Sequence, residues 1–208
     1  MEIPAFFATY RDDKMQVTDG HFTATTAKEG SRYLDFRETV SEGIDRSARA
    51  PAVFVDCNSF AEREFSEKVM KHMNVKGADV WFMTYIETVE DVFDSFNRDA
   101  EIVLAPYHFI LNEAELKDIC SVSDSVVPVL FVHNGRLVQR GRRHGDVLGT
   151  LEKLVSIGYY RNCILDMGNS LDGYTWSIIS SDFPSTIPFV DSPYHAEGFQ
   201  NTIVPFLI

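Results

Sequence analysis

The chain has 208 residues, of which 45% are hydrophobic, and its 19 Lys and Arg against 31 Asp and Glu leave a formal net charge of −12. This composition predicts a globular protein with a sizeable core, and the length suits one compact unit. A chain this acidic lacks the surplus of Lys and Arg that nucleic acids or anionic membranes require, which excludes both as partners. No apolar run approaches the roughly 18–20 residues of a membrane helix, and no leader pattern is present. We therefore expect a soluble, unprocessed protein.

The three cysteines, Cys57, Cys120 and Cys163, are widely spaced and form no CxxC pair. An odd number at such spacings argues against a disulfide framework or a zinc site. We expect buried thiols in a reducing cytoplasm, and no cofactor is predicted.

Residues 1–50 contain short apolar runs separated by the turn signals Asp19-Gly20 and Glu29-Gly30. Such punctuation indicates hairpins. We predict a hairpin-rich N-terminal region, either an antiparallel element or a dimerisation arm.

From Ala52 to about Gly168, apolar runs alternate with segments of helical spacing. The runs are rich in Val, Ile, Phe and Leu without polar alternation, which is typical of strands buried on both faces. The predicted strands are Ala52–Val55, Val80–Ile86, Ile102–Ala105, Val126–Val132 and Cys163–Leu165. Helices are predicted between them, with start signals at Ser59, Thr88 and Asn112 and a fourth helix around Val147–Val155.

After Asp166, three further apolar runs without full helices bring the predicted strands to eight: Trp176–Ile179, Ile187–Val190 and Ile203–Ile208. Repeated strand–helix units predict a parallel sheet covered by helices. We expect an α/β protein with a degenerate TIM-barrel-like (β/α) fold, and an open doubly wound parallel sheet fits almost as well. Residues 51–208 would form this α/β part, with an irregular C-terminal extension, in one unit with residues 1–50.

Polar residues follow the predicted strands, where ligands of α/β folds bind. The candidate catalytic residues are Asp56, His108, His133 and Asp166. An imidazole titrates near neutrality and a carboxylate can orient or activate it, which suits acid–base chemistry. The same side chains could ligate a divalent metal, a weaker alternative because HxH and HxxxH spacings are missing. Each could also be an ordinary polar residue where a strand meets water.

Four scarce basic residues fall within the eight positions 136–143, ahead of the fourth predicted helix. Guanidinium groups match phosphate oxygens, glycines allow close approach, and a helix N-terminus supplies N–H groups. The candidate anion-binding residues are Arg140, Gly141, Arg142, Arg143 and Gly145. The alternative is a solvated basic loop or a subunit interface.

The segment Val127–Val138, with the helix that follows it and Ile164–Asn169, resembles the opening βαβ unit of the phosphoribosyl isomerase-like barrels of histidine biosynthesis. The shared features are an apolar strand with a proline, a glycine turn, an Arg/Val stretch, a helix and a strand ending in Asp. The resemblance implies a (β/α) barrel that handles a sugar-phosphate-like ligand, with Asp166 at the end of the second strand.

Together these patterns predict an enzyme of isomerase or lyase type that acts on a small phosphorylated or carboxylated metabolite. Asp56 and Asp166 would serve as base or orienting carboxylates, and His108 and His133 as acid–base groups. The alternative is a non-catalytic ligand-sensing or assembly module, in which the basic loop and the N-terminal hairpins form a homo-oligomer interface.

Overall fold

Eight parallel strands close into a barrel in the computed structural model, which describes residues 1–18, 33–46, 51–72, 79–142, 144–166, 168–192 and 197–206. The strands are β1 (Glu2–Arg11), β2 (Lys14–Thr18), β3 (Tyr33–Asp35), β4 (Ala52–Asp56), β5 (Val80–Met83), β6 (Ile102–Pro106), β7 (Val126–His133), β8 (Arg136–Val138), β9 (His144–Gly145), β10 (Asn162–Asp166), β11 (Thr186–Val190) and β12 (Thr202–Pro205). The helices are α1 (Phe36–Arg46), α2 (Cys57–Glu62), α3 (Glu67–His72), α4 (Val89–Phe96), α5 (Glu113–Val122), α6 (Val147–Ile157) and α7 (Gly173–Asp182), with a 3-10 turn at Arg140–Arg142.

The barrel runs β1, β4, β5, β6, β7, β10, β11, β12 and returns to β1, and each neighbouring pair is parallel. Since β12 pairs with β1, no open edge is left in this ring. The predicted TIM-barrel-like α/β fold is confirmed, and the open doubly wound sheet is excluded.

Side chains alternate between two apolar layers along the barrel strands, as the pleat of a strand requires. In β4, Val53 and Val55 join the cluster inside the barrel, whereas Ala52 and Phe54 pack in an outer cluster that includes residues of α1. Both faces are apolar because the interior is filled with side chains and helices cover the outside. This alternation decides which way a residue at a strand end points.

The first barrel strand lies in the N-terminal region for which hairpins were predicted. One half of β1 pairs in parallel with β12 and β4, and its far end, from Ala8 to Arg11, pairs antiparallel with β2. β1 is therefore both a barrel strand and one arm of a hairpin. The turn signals Asp19-Gly20 and Glu29-Gly30 lie outside the described residues.

The strand predicted at Trp176–Ile179 is wrong, because this run lies within α7. Asp172 caps the helix by accepting a hydrogen bond from the Thr175 backbone N–H at 2.7 Å, and Trp176 and Ile179 are its buried residues. The helix starts predicted at Thr88 and Asn112 are confirmed, whereas the helix predicted at Ser59 is instead capped by Asp56. None of the described helices is long and apolar enough to cross a membrane.

Candidate functional site

Asp56, at the carboxyl end of β4, faces the helix layer. It lies two positions after Phe54, so the two side chains are on the same face of β4. The Asp56 carboxylate accepts hydrogen bonds from the backbone N–H groups of Asn58 and Ser59, both at 3.1 Å. The Thr84 hydroxyl donates to the other oxygen at 3.3 Å. Asp56 is fully buried, and burial raises its pKa to about 6 despite these hydrogen bonds. These contacts make Asp56 the N-terminal cap of α2.

Asp166, at the carboxyl end of β10, also faces the helix layer. Its Oδ1 accepts hydrogen bonds from the backbone N–H and the hydroxyl of Ser170, both at 2.7 Å, and its Oδ2 accepts one from the Leu171 N–H at 2.9 Å. The Ser170 hydroxyl in turn accepts a hydrogen bond from the Gly135 N–H at 2.9 Å. Asp166 therefore holds the loop after β10 against the turn between β7 and β8.

Asp56 and Asp166 are not brought together. β4 and β10 are four strands apart in the ring of eight, so they lie on opposite sides of the barrel. Two carboxylates placed in this way cannot act on one small substrate, which must lie within hydrogen-bond reach of each catalytic group.

His108 follows β6 and lies over the barrel interior. Its ring packs against Phe109 and Phe131, with ring centroids 4.0 and 4.6 Å apart. Its Nδ1 is buried and has no hydrogen-bond partner among the described residues. Burial lowers the pKa of His108 to about 4, and the charge of Arg63 adds to this shift. The imidazole is therefore neutral near physiological pH.

His133 is exposed at the end of β7, in a short antiparallel ribbon formed by β7, β8 and β9. We call residues 132–142 and 144–145 the basic ribbon. His133 pairs with Arg136, and Val138 pairs with His144. Because directly paired residues share one face of an antiparallel ribbon, and Arg136 and Val138 share a strand face, these four side chains lie on the same side.

Arg140 is held in place by two neighbouring loops. Its Nη1 donates to the Phe109 carbonyl at 2.6 Å, and its Nη2 donates to the Glu87 carboxylate at 2.5 Å. Glu87 also accepts a hydrogen bond from the Tyr85 hydroxyl at 2.7 Å. These hydrogen bonds from Tyr85 and Arg140 lower the pKa of Glu87, whereas burial, followed by the bond to Glu87, raises the pKa of Tyr85 to about 12. Arg140 thus fastens the basic ribbon to the loop after β5.

A cleft of about 370 Å³ opens between the basic ribbon and the N-termini of α6 and α7. We call it the ribbon cleft. Its lining residues are Gly135, Arg136, His144, Gly145, Asp146, Val147, Leu148, Leu171 and Thr175. Two of its walls are joined by the hydrogen bonds from Asp166 through Ser170 to Gly135. The cleft therefore has a defined shape at the carboxyl edge of the barrel, where α/β enzymes bind ligands.

The structure does not bring the predicted anion-binding residues together in one cleft. Gly145 lines the ribbon cleft, whereas Arg140 lines a separate cleft beside α5 and α6. Gly141 has a positive φ of 75° in the 3-10 turn and lines neither. Arg143 and the side chain of Arg142 lie outside the described residues. A Cβ on Gly145 would lie 2.3 Å from Nε2 of Gln139, so a larger residue at this position would require the Gln139 side chain to move.

Arg136 and His144 line the ribbon cleft although neither was a candidate site residue. Both lie in or next to the cluster of basic residues at positions 136–143, which could have indicated a role in anion binding. Only the register of the ribbon shows which residues of this segment share a face. For Ser170 and Glu87 the sequence contains a weaker indication of a role at the site, namely that each follows a predicted strand closely. The catalytic assignments of Asp56, His108, His133 and Asp166 stay predictions.

No group of three or more His, Cys, Asp and Glu side chains comes together as a metal site within the described residues. All three cysteines are free thiols, with Cys163 buried and the other two half-buried. No known family model matches this chain, and a search of curated proteins finds no relative.

Proposed function

We propose that this protein is an enzyme of isomerase or lyase type that binds a small phosphorylated or carboxylated metabolite in the ribbon cleft. The observation that carries the proposal is the cleft itself, which brings Arg136 and His144 beside the first turn of α6 at the carboxyl edge of a closed barrel. Both side chains are exposed and can therefore reach a ligand from solvent.

The first turn of α6 supports anion binding in this cleft. Asp146 caps the helix by accepting a hydrogen bond from the Gly149 N–H at 2.7 Å, and its backbone carbonyl accepts from Thr150. The N–H groups of Val147 and Leu148 lie in the turn that has no acceptors within its own helix. Gly135 is exposed in the lining of the cleft and has no side chain, which favours close approach of oxyanion oxygens.

Asp146 also limits the charge that the cleft favours. Asp146 lines the same cleft as Arg136, so its negative charge offsets that of the guanidinium and the cleft is not a site of concentrated positive charge. A single small oxyanion suits this balance better than a polyphosphate, which needs several cationic partners.

His133 is the acid–base group that we assign to this site. It is paired with Arg136 across the ribbon, so an anion held by Arg136 would bring the rest of a substrate toward the same face. An imidazole can act as a general acid or a general base, which is the role that we assign to His133. In our proposal Asp166 is a positioning residue, because it acts on the cleft through Ser170 and Gly135.

The binding step is tested by calorimetric titration with inorganic phosphate. We expect Arg136→Gln to weaken phosphate binding about tenfold or more, since a charged hydrogen bond contributes about 1.5–3 kcal/mol. Arg37→Gln is the matched control, because Arg37 is exposed on α1 and does not line the cleft. Equal phosphate affinity in both variants would show that the ribbon cleft is not the anion site.

The chemical step is tested in deuterium oxide with a panel of sugar phosphates and 2-oxo acids. An isomerase or lyase that removes a proton next to a carbonyl returns solvent deuterium to that carbon, which mass spectrometry detects. We expect incorporation with the wild-type protein and its loss in His133→Gln, with phosphate affinity retained. No incorporation from any member of the panel would overturn the enzyme proposal, and phosphate binding alone would then support the ligand-sensing alternative.

A further inference from the structure

We propose a second ligand site, outside the ribbon cleft, that takes a small monocarboxylate with an apolar body. It is the cleft of about 220 Å³ that opens between α5, α6 and the end of the basic ribbon, which we call the outer cleft. The residues that carry the inference are Tyr107, Ile110, Glu113, Leu116, Arg140 and Lys153. At about 30 Å³ of liquid per water, the space equals roughly seven waters, which suits a small organic acid.

The floor of the outer cleft is apolar. Ile110 and Leu116 are buried in a hydrophobic cluster that also includes Ile119 of α5 and Leu151 of α6. They line the cleft together with Leu111, which is 44% exposed. An apolar group placed on this floor would cover the exposed part of Leu111 and gain about 25 cal/mol for each Å² of apolar surface buried. The floor therefore favours a ligand with a hydrocarbon body over a bare inorganic ion.

Lys153 already binds a carboxylate at the rim of this cleft. Its Nζ lies 2.7 Å from a carboxylate oxygen of Glu113, and Lys117 lies 2.9 Å from the other oxygen of the same group. If Lys153 turns to the carboxylate of a ligand, Glu113 keeps its ion pair with Lys117. The exchange leaves no charge unpaired, so it avoids the main cost of disrupting an ion pair.

Arg140 presents further donors on the ribbon side of the cleft. A guanidinium has five N–H donors, and the two bonds to Phe109 and Glu87 leave three of them without a partner among the described residues. The same two bonds fix the orientation of the group, which reduces the entropy that ligand binding would otherwise lose. Tyr107, in the same lining, carries a hydroxyl that can donate a hydrogen bond to a ligand carboxylate.

The local charge favours one negative charge on the ligand. The ion pairs at this cleft join three cations, Lys117, Lys153 and Arg140, with two carboxylates, Glu87 and Glu113. The balance is one positive charge, in a chain whose formal net charge is −12. A monocarboxylate matches this balance, whereas a cation or a neutral analogue does not.

The test uses benzoate as the probe, followed by calorimetry and by NMR of the Ile110 and Leu116 methyl groups. We expect benzoate to shift both methyl signals, and benzamide, which has the same ring without the charge, to bind at least tenfold more weakly. Inorganic phosphate should not displace benzoate, because the ribbon cleft is a separate site. Absence of methyl shifts up to the solubility limit of benzoate would overturn the inference, and so would displacement by phosphate.

Two lysines provide a matched pair of variants. Lys153→Met removes the cation that lines the cleft, and Lys117→Met removes the other partner of Glu113, which does not line it. We expect about a tenfold loss of benzoate affinity in Lys153→Met. In Lys117→Met we expect a smaller loss, of less than about fivefold, because Lys153 can then turn to the ligand only by giving up the remaining ion pair of Glu113, which is exposed and weak. Circular dichroism shows whether both variants are folded. Equal losses would overturn the site, and misfolding of Lys153→Met would leave the comparison of benzoate with benzamide to decide.

Discussion

The three hydrogen bonds to Asp166 allow the shape of the ribbon cleft to be tested by one nearly isosteric change, Asp166→Asn. The side chain is 1% exposed, and its two oxygens accept bonds from Ser170 and Leu171. An amide can keep the oxygen that serves Ser170, but its NH₂ group then stands 2.9 Å from the Leu171 N–H, where two donors oppose each other. The change removes one charge-assisted bond and leaves a buried donor unsatisfied.

The expected loss in the free energy of unfolding is about 2–3 kcal/mol, the range for a hydrogen bond to a buried charged group. For a chain of this length it corresponds to a fall in Tm of roughly 5–10 °C. Urea unfolding followed by tryptophan fluorescence measures it, since Trp176 is buried in α7 directly after this loop. Because Ser170 also holds Gly135, we expect phosphate affinity in the ribbon cleft to fall together with stability.

The matched control is Asp182→Asn, at the end of α7, where the carboxylate is exposed. Its stability should change by less than about 0.5 kcal/mol, as for most surface substitutions. If Asp166→Asn is as stable as this control, the carboxylate does not hold the loop. If it is less stable but binds phosphate with unchanged affinity, the bonds through Ser170 do not shape the cleft.

Three other expectations concern pH and packing. The pKa of Asp56 is raised from 3.8 to about 6, so its protonated carboxyl contributes about 3 kcal/mol to the free energy of unfolding below about pH 4, and this contribution is lost as the pH rises through about 6. In urea unfolding, Asp56→Asn should make the free energy of unfolding less dependent on pH over this range. An unchanged pH dependence would contradict the raised pKa. The pKa of His108, lowered to about 4, should keep its Cε1–H signal in NMR constant from about pH 8 to about pH 5.5, and a midpoint near its ordinary 6.5 would refute the burial argument. A Cβ on Gly43 would lie 2.4 Å from the Phe6 ring, so Gly43→Ala should lose about 1–3 kcal/mol of unfolding free energy. Gly173→Ala is the control and should lose none, because a Cβ there meets nothing within 4 Å. Equal stabilities of the two variants would contradict the close contact between Gly43 and Phe6.

The run Trp176–Ile179 shows where a short apolar pattern misleads. Its four residues are three apolar side chains and one serine. Such a run fits a buried strand or one turn of a buried helix equally well, because it is too short to show a period. The cap Asp172, three residues before Thr175, was the available sign of a helix. β1 was obscured for a different reason, since a single strand serves both a hairpin and the barrel.

Local patterns were sufficient for the class of fold and for most of its elements. The apolar runs of β4, β5, β6, β7 and β10, and the helix starts at Thr88 and Asn112, depend on neighbours within a few residues. Repeated strand–helix units then leave few arrangements other than a parallel sheet. The sequence alone therefore determined that polar side chains would gather at the carboxyl ends of these strands.

Only the tertiary structure decided which of those side chains share a site. Both faces of a barrel strand are apolar, so the sequence carries no alternation to show that Asp56 and Asp166 face the helices. The ion pair that fastens Arg140 joins residues 53 positions apart, a contact that no local pattern encodes. The alternation of side chains along each strand and the closure of the barrel depend on the whole chain. They are the physical reasons that Arg136 and His144 line one cleft, whereas Asp56 and Asp166 face the helices on opposite sides of the barrel.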